Sequence, residues 1–148
     1  AELKDNLKEI KEETLTQCIE AVEPWEMVFG KVAEGPSILK RDGLYYLLYS
    51  ANDFRSQDYA VGYATSDSPF GPWKKNSKNP LLHRVDELVG TGHGAPFADK
   101  DGNLRYIFHA HKSQTEVNQR NSYIVDMSLS GKDQVSIGGG LIRPAVVK

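Results

Sequence analysis

The chain has a single cysteine, Cys18, so no disulfide can form within it, and no Cys/His spacing of the zinc-finger type occurs. It has no apolar run approaching the roughly 20 residues that a helical membrane span needs. Its first residues, AELKDNLKEIKEET, are charged where a signal peptide would be apolar. It also has no excess of one charge. Lys+Arg 18 against Asp+Glu 20, net charge -2, supplies no basic field for a phosphate backbone. Neither nucleic acid nor a membrane is an expected partner. What is present is 148 residues, enough for one ordinary domain with a core of its own.

The first residues, 1–16, carry Leu3, Leu7 and Ile10 at helical spacing among Lys and Glu, which predicts an amphipathic helix or, as the alternative, a strand-connecting loop. From residue 33 the pattern changes to short runs of Tyr, Ile, Val and Leu: SILK, LYYLLYSA, YAVGYATS, APFA, LRYIFHAH, SYIVDMSL and QVSIG. Turn chemistry separates them, in KRDG, SPFGPW, NP and DKDG. Short, regularly spaced strands of this kind predict an all-β sandwich, barrel or propeller.

An internal repeat chooses among these. A shift of 59 residues lays GPSILKRDGLYYLLYSA (35–51) on GAPFADKDGNLRYIFHA (94–110), matching Gly35 to Gly94, Asp42 to Asp101, Gly43 to Gly102 and Ala51 to Ala110. Each copy reads as strand, Asp-Gly turn, strand, since Gly supplies the positive φ and Asp tolerates the tight reversal. A period near 60 residues suits four-stranded propeller blades with long connections better than solenoid repeats. The same shift sets Glu34 opposite His93. On the innermost strands of neighbouring blades, the two would face one axial site.

Glu34 is the first candidate for chemistry. Burial or a neighbouring carboxylate at the mouth of an apolar strand favours its protonated form, which a general acid needs; the alternative is a strand-edge residue paired with a Lys or Arg. His93, in GTGHGAP, is flanked by small residues that admit backbone or ligand closely, and a structural histidine is its alternative reading. His109 and His111 in FHAHKS share one strand face at i, i+2, a spacing that can bind metal. Most tyrosines, and Trp73, read as blade packing, with a sugar platform as the alternative for one or two.

VAEGPSILKRDGLYYLLYSAND, then DYAVGYATSDSPFGPWKK, then GTGHGAPFADKDGNLRYIFHAH, resembles glycoside hydrolase family 43 in order over roughly residues 24–125. The resemblance implies a five-bladed β-propeller that hydrolyses xylosides and arabinosides with inversion through three carboxylates. It matches Glu34 to the general acid that protonates the leaving glycosidic oxygen. It matches His93 to an axial histidine that contacts a central metal ion or water cluster near the sugar, implying calcium or water at the propeller axis. Arg120, in VNQRNSYIV, is similar in placement to an arginine that contacts the sugar.

The family's general base and its pKa-tuning aspartate lie upstream of the EGP motif. Only 33 residues precede Glu34 here, and their one aspartate, Asp5, sits in LKDNLKE with no apolar strand to bury it. An inverting hydrolase holds acid and base about 6.5–9.5 Å apart. The expectation is therefore the carboxy-terminal part of a larger, secreted or periplasmic glycosidase. Residues 1–23 would be a connecting segment or incomplete blade and residues 24–148 about three four-stranded blades, binding xylo- or arabino-oligosaccharide and inactive alone. Exposed blade edges would invite self-association. The alternative is a non-catalytic carbohydrate-binding or scaffold propeller module.

Overall fold

The computed structural model describes residues 1–117 and 119–145. Two four-stranded antiparallel sheets carry the fold. The first contains β1 (Ala33–Arg41), β2 (Leu44–Ala51), β3 (Ala60–Ser66) and β4 (Lys74–Lys75) in that order, and the second β5 (Gly92–Ala98), β6 (Leu104–His111), β7 (Arg120–Leu129) and β8 (Val135–Ile137). Each is a simple meander, the form expected of a blade. The expected count of about three blades becomes two complete ones among the described residues. Before residue 33 the chain forms only two short 3-10 turns and an isolated bridge. β4 was not foreseen because Lys-Lys carries no apolar residue to announce a strand.

The N-terminal helix is also corrected. Leu3 and Ile10 pair as an antiparallel bridge, with the Lys4 amide donating to the Glu9 carbonyl and the Lys11 amide to the Glu2 carbonyl. Leu3, Leu7 and Ile10 all stay exposed. A segment of this length is marginal as a helix without a core to pack on, and none is offered. No helix among the described residues is long and apolar enough to cross a membrane.

Alternation along the strands builds one core between the sheets. Tyr46, Leu48, Val61 and Tyr63 from the first pack with Tyr106, Phe108, Tyr123 and Val125 from the second, and each such side chain contributes about 1.5–3 kcal/mol by leaving water. Most tyrosines are thus packing residues, as their strand positions predicted.

The two hairpins of the repeat share their glycine and differ in length. Gly43 and Gly102 both sit at φ 81. Asp42 at φ 50 makes the first a two-residue reversal. Residues 99–103 form a longer loop closed by Asp99, whose carboxylate takes bonds from Asn103 and Arg105.

Both β1 and β5 bulge at their outset, with register shifts between Glu34 and Ser37 and between Gly92 and Ala95. The left-handed residue is Gly35 (φ 57) in β1 but His93 (φ 49) in β5, one place earlier in the repeat. Bulges re-aim side chains. At these two bulges the blades meet.

Candidate active site at the junction of the two blades

The junction is organised by backbone that comes too close for side chains. A Cβ on Gly35 would lie 3.1 Å from the His93 ring, one on Gly92 would lie 2.1 Å from the Tyr59 ring, and one on Gly94 would meet the Ile107 carbonyl at 2.3 Å. Glycine at these positions is what lets His93 and Tyr59 lie against β1 and β5. Ser50, the cross-strand neighbour of Glu34 on β2, is fully buried and accepts the His93 amide at 2.7 Å. Blade to blade, the bulges are stapled together.

Tyr59 connects the two repeat-equivalent residues. Its ring is wholly buried and its hydroxyl donates to Glu34 Oε1 at 2.8 Å. His93 Nδ1 lies 3.5 Å from the Tyr59 hydroxyl oxygen. The phenol has one proton, committed to the shorter bond, so in the His93 contact Nδ1 is the donor. Among the described residues Glu34 makes no other side-chain hydrogen bond, which leaves Oε2 without a partner. Burial and the adjacent Glu34 carboxylate push the Tyr59 pKa up, against smaller opposing effects of Ser50 and Arg120. The phenol therefore stays protonated across the ordinary pH range.

Arg120, exposed at the start of β7, reaches the same place from the other side. One guanidinium nitrogen donates to His109 Nε2 at 3.2 Å, and the guanidinium lies 4.8 Å from the centre of the Phe54 ring. His109 stacks on Tyr59 (5.7 Å between centres, 9° between planes) and faces His93 at 6.3 Å. Burial, then Arg120, His93 and His111, lower the His109 pKa to about 4. It is a neutral acceptor at ordinary pH, and its buried Nδ1–H finds no partner among the described residues. Beside this group a cleft of about 520 Å³ opens between β1 and β5–β6, lined by Gly35, Pro36, His93 and His109 among others.

The model of the family "Glycosyl hydrolases family 43" matches residues 1–132. The chain belongs to that family. The crystal structure of an endo-1,4-beta-xylanase from Bacteroides thetaiotaomicron VPI-5482 is similar at 57% identity and TM-score 0.96, covering 99% of this chain and 51% of that one. A β-D-galactofuranosidase of Aspergillus niger is 34% identical over 76 residues, 51% of this chain and 22% of that protein. An extracellular exo-α-(1->5)-L-arabinofuranosidase of Streptomyces chartreusis is 35% identical over 94 residues, 58% of this chain and 28% of that protein. The chain thus spans about half the length of the xylanase and less than a third of either curated relative. The two sheets are blades of the family's five-bladed β-propeller.

Within this family 43 frame the three residues singled out by sequence, Glu34, His93 and Arg120, converge through Tyr59 and His109. The His109–His111 pair does not act as one. His111 is buried against Gly90 and its Nε2–H donates to the Phe54 carbonyl at 2.8 Å, while His109 Nε2 accepts from Arg120. Among the described residues no group of three His, Cys, Asp or Glu is placed to hold a metal ion. Sequence reasoning missed Tyr59 and Ser50 as site residues. Their signal was the small residues around His93 in GTGHG, which announced a close approach without naming what approached.

Proposed function

We propose that this chain is part of an inverting glycosidase acting on xylose- or arabinose-containing oligo- or polysaccharides, with Glu34 as the general acid. The observation that carries this reading is the asymmetric setting of Glu34. One oxygen is tied to a buried phenol and, among the described residues, the other has no partner; the residue is half-buried and precedes Gly35, which lines the inter-blade cleft. A carboxyl so placed can hold a proton on the unpaired oxygen and deliver it to a glycosidic oxygen entering the cleft. His93 lines the same cleft, and Arg120 lies behind it on His109; both are polar groups available to sugar hydroxyls.

The general base, which must stand across the scissile bond with room for a water, would come from a part of the full-length protein beyond this chain. The remaining blades, rather than a second copy, would cover exposed apolar side chains such as Phe29 and Ile38. For the axial ion that the family resemblance implies, this chain offers one imidazole nitrogen beside a phenol. Calcium takes six to eight oxygen ligands, so these residues fit a hydrogen-bonded water cluster better than a cation held by this chain. No step of the reaction is routed through a metal.

The test is Glu34→Gln in the full-length protein, assayed on xylosides and arabinofuranosides of graded leaving-group ability. Turnover should fall by about 10²–10⁴ on poor leaving groups and far less on 4-nitrophenyl glycosides, which need little protonation. Equal loss on both classes would remove the acid role.

A further inference from the structure

We infer that Tyr59 is a positioning residue that dictates which oxygen of Glu34 carries the transferable proton. The inference rests on the acid role proposed above and adds a residue to it. A phenol that donates to Oε1 makes that oxygen the carbonyl-like acceptor of a protonated carboxyl, so the acidic proton resides on Oε2. The competing arrangement has Oε1–H donating to Tyr59 and the Tyr59 proton turned toward His93. It would keep the 2.8 Å contact with donor and acceptor exchanged, and would leave the phenol proton to a 3.5 Å contact, longer than an O–H donor favours.

The ring has no freedom to turn away. Tyr59 is fully buried, the backbone of Gly92 leaves no room for even a methyl group beside it, and the His109 ring stacks on it nearly parallel. His109 is held in turn by Arg120. The charged and titratable groups around the phenol are Glu34, His93, His109 and Arg120. Burial and Glu34 keep the hydroxyl protonated, so it donates both before and after the transfer.

In the step itself, the Oε2–H bond of Glu34 breaks and a new O–H bond forms on the glycosidic oxygen. That oxygen keeps the electron pair of the broken bond to the anomeric carbon. The carboxylate left behind retains the Tyr59 hydrogen bond on Oε1, and Tyr59 neither gains nor loses a proton. A hydrogen bond to a charged acceptor is stronger than one to a neutral acceptor, so this contact strengthens as the proton leaves.

The experiment compares Tyr59→Phe with the parent full-length protein on methyl and 4-nitrophenyl β-xylosides or α-L-arabinofuranosides, whichever pair it cleaves. kcat on the methyl glycoside should fall about tenfold or more, with KM within about twofold and the 4-nitrophenyl rate changing by less than about threefold. Incorporation of 3-fluorotyrosine at position 59, which keeps ring and donor, should preserve the parent's ratio of the two rates. If Tyr59→Phe fails to fold, more heavily fluorinated tyrosines at position 59, whose phenol loses its proton at lower pH, decide the case: the selective loss on the methyl glycoside should set in at lower pH as fluorines are added, and a rate ratio that does not respond would overturn the inference. Equal losses on both substrates, or a fluorotyrosine protein whose ratio falls as the Phe variant's is expected to, would overturn the inference. If Glu34→Gln shows no leaving-group selectivity, the acid role fails and this inference with it. If Glu34→Gln is selective and Tyr59→Phe is not, only the role of Tyr59 is lost.

Discussion

Two glutamates in this chain each accept a hydrogen bond from a buried tyrosine, and they are built for opposite ends. Glu26 takes the Tyr49 hydroxyl at 2.7 Å, both oxygens meet Lys75 Nζ at 2.7 Å, and Oε2 also accepts the Val22 and Glu23 amides. It is fully buried and every lone pair has work. Burial pushes its pKa up, but Lys75, Tyr49 and the two amides outweigh that and hold it below the usual carboxylate range. Glu34 takes the Tyr59 hydroxyl at 2.8 Å and is half-buried beside a cleft. Saturation makes the first carboxylate a fastener for the segment before β1. Among the described residues the second has a partner on one oxygen only, and the other oxygen makes it a candidate for proton transfer.

The comparison breaks most visibly at Glu26. Glu26→Gln leaves Lys75 buried without its counter-charge, and breaking such a pair costs about 3–5 kcal/mol. Denaturant unfolding of the full-length protein should register that loss, while the ratio of turnover on poor and good leaving groups stays at the parent value. Glu34→Gln should do the reverse, since it buries no orphaned charge. A leaving-group effect from Glu26→Gln would mean the two sites are not separate.

The tyrosines sharpen the same contrast at smaller scale. Tyr49→Phe removes one donor to a buried charge and should cost about 1.5–3 kcal/mol of stability, again with no change in leaving-group selectivity. Tyr59→Phe is expected to show that selectivity. Thermal unfolding of Tyr49→Phe with an unshifted midpoint would mean that Lys75 and the amides hold Glu26 without it.

Much of this was legible in the sequence because it rests on short-range patterning. The strand runs, the Asp-Gly reversals at Gly43 and Gly102, and the 59-residue equivalence of Glu34 and His93 all follow from period-two alternation and turn chemistry. The fastener at Glu26 was not legible, because PWEM gives no sign that a lysine 49 residues on folds over it. The Tyr59 contact escaped for a related reason. A tyrosine at the head of an apolar strand reads as packing, and only the one-residue offset between the two bulges brings its hydroxyl between Glu34 and His93. That offset depends on whether Gly35 or His93 takes the left-handed conformation, which the repeat could not reveal since both copies offer a glycine there.

The two sites should also separate on a pH axis. His109, with a folded pKa of about 4 against an ordinary 6.5, binds its proton more readily in the unfolded chain. Stability from keeping it neutral is fully present above about pH 6.5 and is lost as the pH falls toward 4. With part of the ring facing solvent and screened, the loss is on the order of 2 kcal/mol. Glu26 has a folded pKa below the ordinary carboxylate value of 4.5, so its contribution is intact across that window and is lost only at lower pH. Between pH 6.5 and 4.5 the His109–Arg120–Tyr59 group should weaken while the Glu26 fastener holds. Ring-proton NMR of His109 in the full-length protein should give a midpoint near 4, and His109→Gln, which cannot protonate, should flatten the stability loss over that interval. A midpoint near 6.5 would mean that His109 is neither buried against Tyr59 nor seated beside Arg120. The stack that holds Tyr59 against Glu34 would then have lost one of its supports, leaving the contrast between the two tyrosines to rest on Gly92 alone.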